Sequence, residues 1–101
     1  MAGLVTVLTP GEVLPARAHF DGPWREFEHV QLAPGVTRNL DADTCEIAVF
    51  VLSGAGSARV EQDTVPLSEY SSIMIGLGGT VSVTAAEDQG IDLFLTTLDV
   101  A

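Results

Sequence analysis

The side chains best suited to acid–base chemistry in this sequence are two aspartates and one histidine. Asp41 and Asp43 stand two residues apart in the polar segment 39–44, so they share a face if that segment is extended. Crowding or burial of such a carboxylate pair raises the pKa of one member, which suits it to general acid or base catalysis. The alternative is that both lie in a solvated, turn-rich loop.

His29 lies in the alternating segment 26–32, which predicts a strand whose successive side chains face opposite sides. If the face that carries His29 points inward, the imidazole is placed to act as a proton shuttle near the aspartates. If the face that carries Val30 and Leu32 points inward, His29 is an exterior residue. The sequence leaves both orientations open.

The charge of the chain excludes several classes of partner. Its 101 residues include 14 acidic and 4 basic side chains, for a net charge of −10. Nucleic-acid binding depends on basic residues that neutralise phosphates, so we expect no DNA or RNA partner, and no anionic membrane surface. A single cysteine, Cys45, excludes an internal disulfide and a multi-cysteine zinc site.

The sequence also argues against membrane insertion and export. No segment approaches the roughly 20 apolar residues of a membrane span. The N-terminal residues have no positively charged region, and threonine interrupts their apolar run, which argues against a signal peptide. We therefore expect a cytoplasmic protein.

Alternation of apolar and polar residues runs through most of the chain and predicts short β-strands, as in 80–84. The run 45–52 is almost continuously apolar, which predicts a strand buried on both faces. Turn-forming segments separate these strands at short intervals, as is typical of a sandwich or barrel. We expect one all-β domain over 1–101, with an irregular N-terminal arm at 1–25 and a barrel at 26–98.

The order of glycines and strands resembles that of the cupins. The segment from Gly35 through 46–56 resembles the first cupin motif, in which a glycine precedes a His-x-His pair, a glutamate and a second glycine. The segment 67–81 is similar to the second motif, where a strand and a glycine turn lead to the last histidine. The resemblance implies a cupin-like double-stranded β-barrel, or jelly roll, that forms a homodimer.

All four metal-binding positions of the cupin motifs are changed in this chain. Counting from the motif glycines places the His-x-His pair on Asp41 and Asp43. The same counting places the glutamate on Ile47 and the last histidine on Val81. A transition metal in such a barrel needs imidazoles together with a carboxylate. The resemblance therefore implies the cupin fold without a metal or another cofactor.

Three functions follow as alternatives. The first is a metal-independent cupin that binds a small organic molecule in a mostly apolar barrel. The second is a metal-free isomerase, epimerase or cyclase that uses Asp41 or Asp43 with His29 for acid–base catalysis. The third is a non-catalytic interaction protein whose barrel is filled by its own side chains.

The resemblance also assigns residues to the binding and dimer surfaces. Tyr70 either offers its hydroxyl to a ligand or packs at an edge, and Phe50 faces away from the pocket toward a second subunit. The expected pocket wall consists of the inward residues of the apolar strand and one residue of the second motif: Ile47, Val49, Val51 and Val81.

Overall fold

A computed structural model describes residues 6–100 of the chain. Within this range there are nine strands and one 3-10 turn at Ala16–Ala18 but no α-helix, and no helix there is long and apolar enough to cross a membrane. The first five residues of the predicted N-terminal arm lie outside the described residues. The strands are Val13–Leu14 (β1), Trp24–Leu32 (β2), Thr37–Asp41 (β3), Cys45–Gly54 (β4), Gly56–Val60 (β5), Asp63–Leu67 (β6), Ser72–Ile75 (β7), Thr80–Ala85 (β8) and Ile91–Asp99 (β9).

The strands form two antiparallel sheets that pack face to face. One sheet has five strands in the order β1-β2-β9-β4-β7, and the other has four in the order β3-β8-β5-β6. Strands that are distant in sequence lie side by side, as in a jelly roll. The all-β jelly roll expected from the alternation and the turn spacing is confirmed.

The core lies between the two sheets and is built from the inward side chains of each strand. In β4 the alternation is complete: Cys45, Ile47, Val49 and Val51 are all buried. Together with the inward residues of the other strands they form one cluster of seventeen buried apolar residues. Full burial of each valine or leucine contributes about 1.5–3 kcal/mol to folding, so this cluster is the main source of stability.

The prediction that the run 45–52 is buried on both faces is wrong for the single chain. Phe50 and Leu52 point away from the core, and each remains 38% exposed. The physical reason is that the chain forms only two layers. The five-stranded sheet has the four-stranded sheet on one face and, in the described part of the chain, nothing that covers Phe50 and Leu52 on the other.

The N-terminal arm is attached to the end of β9 by two arginines. The carboxylate of Asp99 accepts hydrogen bonds from Nε of Arg17 and Nε of Arg25, both at 2.8 Å. These two guanidinium groups lower the pKa of Asp99. Arg25 also donates to the carbonyl oxygen of Thr44 at 3.2 Å, so one arginine connects the start of β2 with both β9 and the β3–β4 turn.

Two glycines of the cupin-like motifs have similar φ angles but differ in how closely other parts of the chain approach them. Gly54 and Gly78 have nearly identical left-handed φ angles of +90° and +89°. A Cβ at Gly54 would lie 2.2 Å from the carbonyl oxygen of Gly90, whereas a Cβ at Gly78 would have no atom within 4 Å. The φ angle is therefore nearly the same at both sites, whereas the surroundings differ.

We expect Gly78→Ala to lower the free energy of unfolding by about 1–2 kcal/mol, the cost of a left-handed alanine. Gly54→Ala should cost more, because the new methyl group also forces apart the end of β4 and the β8–β9 loop. Chemical denaturation of both variants measures the difference. Equal losses would contradict the close approach of these two segments.

Candidate functional site

Strand β3 places apolar residues, not the aspartate pair, at the first two motif positions. Leu40 and Ala42 face the core and are 4% and 0% exposed. Leu40 pairs with Val81 across the sheet, and Ala42 exchanges backbone hydrogen bonds with the turn at Gly78 and Gly79. The two residues that face inward, Leu40 and Ala42, therefore each lie one position before the aspartates that counting from Gly35 assigned to the motif.

The residues at this end of the barrel do not fit a transition metal. Leu40, Ala42, Ile47 and Val81 have no donor atoms in their side chains, and all four are buried in the same cluster. Cys45 is buried there too, but one thiol does not make a metal site. Among residues 6–100 no three histidine, cysteine, aspartate or glutamate side chains lie close enough to hold a metal ion.

Asp41 and Asp43 are exposed beside the β3–β4 turn, on the outer side of the four-stranded sheet. Their carboxyl groups interact with each other. Partial desolvation, the charge of Asp43 and a hydrogen bond between the two carboxyl groups raise the pKa of Asp41. The pair faces solvent and is absent from the lining of four cavities in the described part of the chain.

His29 lies on the outer face of the five-stranded sheet, because Val30 and Leu32 are the residues of β2 that enter the core. Its Nδ1 is 2.8 Å from the carbonyl oxygen of Leu8. Its Nε2 is buried without a hydrogen-bond partner, 3.9 Å from a carboxylate oxygen of Asp92. The imidazole therefore contacts the N-terminal segment, and the sandwich separates it from the aspartate pair.

The predicted pocket wall is part of the packed core. Ile47, Val49 and Val51 are 8%, 1% and 0% exposed, and their side chains pack within the buried cluster. Val81 is 5% exposed and lines the inner end of a small cavity. Tyr70 is 70% exposed, and its ring lies beside that of Phe50 with the centroids 6.2 Å apart.

One side of the sandwich is closed by an ion pair that the sequence analysis did not single out. Arg38 of β3 donates two hydrogen bonds, of 3.1 and 3.2 Å, to the carboxylate of Glu28 in β2. Both side chains lie on the inward face of their strands; β3 is an edge strand of its sheet, and β2 lies next to the short edge strand β1. The sequence contained a sign of this inward-facing glutamate, because Glu28 lies on the same face of its strand as the apolar Val30 and Leu32.

The opposite side of the sandwich is open along the edges of β6 and β7. These strands are joined by the turn 68–71 and are not hydrogen-bonded to each other, which leaves a cavity of about 400 Å³ between them. We call this cavity the β6–β7 groove. Its lining is mostly apolar: Ala58, Val60, Val65, Pro66, Leu67, Ser71, Ser72, Ile73 and Met74.

A second cavity of about 270 Å³ continues the groove toward the turn between β7 and β8. The two cavities share Val60, Ile73 and Met74 as lining residues. The second also reaches Glu61 and Val81, so it ends at the place where the cupin motif would have its last histidine. The groove and this second cavity together therefore connect the outside of the molecule with the end of the barrel at Val81.

Two other cavities are more polar than the groove. The first lies at the opposite end of the barrel, and the second lies on the opposite side of the sandwich. One, of about 550 Å³, is formed by three loops and includes the polar side chains of Gln31, Ser53 and Asp92. The other, of about 350 Å³, lies against the Glu28–Arg38 ion pair and the N-terminal segment. Neither contains the aspartate pair.

Several solved structures similar to this chain are cupins. A cupin protein from Bacteroides fragilis has a TM-score of 0.80 and 18% identity, over 98% of this chain and 85% of that one. A Cupin 2 conserved barrel domain protein from Salinispora arenicola has a TM-score of 0.71 and 17% identity, over 81% and 68%. A cupin-2 domain from Rhodospirillum rubrum has a TM-score of 0.67 and 16% identity, over 86% and 68%.

These similarities show that the chain has the cupin fold, as its motifs predicted. Also similar is a predicted oxalate decarboxylase from Thermotoga maritima, with a TM-score of 0.71 and 15% identity, over 77% of this chain and 69% of that one. No protein-family model and no curated protein matches the sequence.

The contact between the two aspartates predicts an altered titration. Asp43→Asn removes the negative charge beside Asp41, so we expect the pKa of the Asp41 carboxyl to fall toward its ordinary value. A folded-state pKa above the unfolded value means that ionised Asp41 opposes folding, and that this penalty disappears as the pH falls through the folded pKa. Asp41→Asn should therefore stabilise the protein at neutral pH and not in acid.

Carbon-13 NMR titration of the Asp41 carboxyl group in the wild type and in Asp43→Asn measures the first effect. Denaturation of Asp41→Asn at neutral and acid pH measures the second. An Asp41 titration that is identical with and without Asp43 would contradict the contact between the carboxylates.

Proposed function

We propose that this cupin-fold chain binds a small, largely apolar molecule in the β6–β7 groove without the help of a metal. The observation that carries the proposal is the groove itself, an open cavity of about 400 Å³ lined mainly by aliphatic side chains. Ligand sites in proteins are typically concave, mostly apolar and about 300–1,000 Å³ in volume. The groove also lies at the edge of a tightly packed core, so its walls are held in place.

The predicted wall residues support the groove from behind. Val49 pairs with Ile73 of β7, and Ile47 pairs with Ile75. Because Ile73 packs against the buried cluster, its side chain is a fixed part of the groove wall. Val49 and Ile47 thus hold β7 in position without touching the ligand, while Val81 contacts the ligand at the inner end of the groove.

The charge of the chain and the polar groups in the groove favour a neutral or cationic ligand. The net charge of −10 repels anions, and Glu61 is the charged side chain at the inner end. At the outer end lie the hydroxyl groups of Ser71 and Ser72, and Oγ of Ser71 already accepts a hydrogen bond from the backbone N–H of Ser68. A ligand with an apolar body and one hydroxyl or amide group fits this lining.

The same observations favour binding over acid–base catalysis. A general acid or base must lie within hydrogen-bond reach of the reacting group. His29 and the Asp41–Asp43 pair are absent from the lining of the groove, which leaves Glu61 as the titratable side chain in its inner cavity. The isomerase, epimerase or cyclase hypothesis therefore has less support than the binding hypothesis.

Binding of a neutral apolar probe tests the proposal. We expect N-phenyl-1-naphthylamine to bind with a dissociation constant in the micromolar to millimolar range, with an increase in its fluorescence. In nitrogen-15 NMR spectra the shifts should be concentrated at the backbone amides of residues 64, 65, 67 and 71–74, since Pro66 has no N–H group.

Val65→Glu places a charge at the mouth of the groove and should weaken probe binding at least about tenfold. Val36→Glu is the matched control, because Val36 is exposed to a similar degree, 45% against 47%, but does not line the groove. The proposal fails if the probe shifts no groove amides, or if both variants bind it like the wild type.

A further inference from the structure

Glu61, at the inner end of the groove, has a backbone conformation that glutamate rarely adopts. It is the first of the two residues in the turn between β5 and β6, where Val60 pairs with Asp63. Its φ angle is +56°, whereas Gln62 beside it has no positive φ. A two-residue turn with a positive φ at its first position normally has glycine there, because a side chain is strained in that region. Strained residues of this kind are concentrated at functional sites.

The carboxylate of Glu61 is not neutralised where it lines the inner cavity. It has no salt-bridge partner among residues 6–100. Of the described side chains, no lysine, arginine or histidine lines the groove or its inner cavity. The arginine nearest in sequence, Arg59, faces away from the groove, because it alternates in β5 with Ala58 and Val60, which line it. The negative charge of Glu61 is therefore available to a ligand.

A second carboxylate adds negative charge near the same end of the groove. A Cβ on Gly76, which lines the inner cavity, would lie 3.7 Å from Oε2 of Glu46. The net charge of −10 acts in the same direction. A cleft with apolar walls and charges of one sign attracts a ligand of the opposite sign. The inner end therefore favours a cationic group over a neutral or an anionic one.

The remainder of the lining requires that this cation carry an apolar body. From Ser72 at the outer end of the groove to Gly76 at the inner end, β7 and the residue after it advance by about 13 Å. Between these ends the walls are aliphatic, with Val60, Ile73 and Met74 shared by both cavities. An inorganic cation would leave these walls uncovered, and one carboxylate supplies too few of the roughly six oxygens that Mg²⁺ or Ca²⁺ needs.

We propose that the ligand of the β6–β7 groove is an amphiphilic organic cation, provided that the groove is the ligand site proposed above. Its ammonium group binds the carboxylate of Glu61, and its apolar body lies along β7 toward the hydroxyl groups of Ser71 and Ser72. Glu61 is then the residue that determines specificity. The strained turn is retained because the glycine that would relax it has no carboxylate.

Three probes with the same eight-carbon chain and different head groups test this inference: octylammonium, 1-octanol and octanoate. We expect octylammonium, which is protonated at pH 7 as lysine is, to bind about three- to fivefold more tightly than octanol at low ionic strength. Octanoate should bind more weakly than octanol. Nitrogen-15 NMR titration at the groove amides measures the three dissociation constants, and added salt should reduce the preference for octylammonium.

Glu61→Gln removes the charge and keeps the length of the side chain, so the ratio of the octylammonium and octanol affinities should fall to about one. Glu87→Gln is the matched control, because it removes the same charge from an exposed loop residue outside all four cavities, and it should keep the wild-type ratio. Glu61→Gly should also lose the preference, while its midpoint of urea denaturation rises because the strain at the turn is relieved.

Equal affinities of the wild type for octylammonium and octanol would overturn the inference and leave the groove as a ligand site. A preference for octylammonium that persists in Glu61→Gln would also overturn it, because the attraction would then come from the net charge of the chain. If none of the three probes shifts the groove amides, the proposed ligand site fails together with the inference. The two failures are therefore distinguishable.

Discussion

Burial of the inward side chains of β4 against the opposite sheet is the interaction on which the rest of the structure depends. Ile47, Val49 and Val51 stand on a strand that pairs with both β9 and β7, and they fill the space between the sheets. Because side chains alternate along a strand, fixing these three inward fixes which residues of β7 and β9 also face the core. The same packing occupies the interior in which a cupin would hold a metal ion.

Two surface features follow from this core. The residues of β4 that alternate with the buried ones must point outward, which leaves Phe50 and Leu52 partly exposed on the outer face of the five-stranded sheet. The inward residues of β7, Ile73 and Ile75, are anchored by their pairing with β4, while β6 belongs to the other sheet. The gap between these two edges is the β6–β7 groove. One packing pattern therefore produces both the candidate ligand site and the exposed apolar side chains of β4.

The fold was predictable from the sequence because its signals are local. Alternation identifies the strands, and Gly54 and Gly78 occupy left-handed turns where the cupin motifs have glycine. It was harder to predict from the sequence which residues at the end of β3 face the core. Counting from Gly35 places the motif pair on Asp41 and Asp43, whereas the apolar Leu40 and Ala42 enter the core, so hydrophobic burial determines the phase and motif spacing does not.

The candidate site was less predictable because it depends on contacts between distant segments. His29 has a plausible inward and a plausible outward orientation within its own strand, and the packing of Val30 and Leu32 on the opposite sheet decides between them. The groove is formed by the edges of two sheets, which no single segment reveals. Pro66 was a usable signal, because proline in a strand is confined mainly to sheet edges.

We propose that apolar packing has replaced metal chemistry inside this cupin fold, and the metal content of the purified protein tests this proposal. We predict that the purified protein contains less than stoichiometric transition metal by elemental analysis. We also predict that its unfolding temperature is unchanged by a chelator or by added Fe²⁺, Mn²⁺, Ni²⁺ or Zn²⁺. One tightly bound transition metal per chain, with a lower unfolding temperature after chelation, would show that the fold still holds a metal.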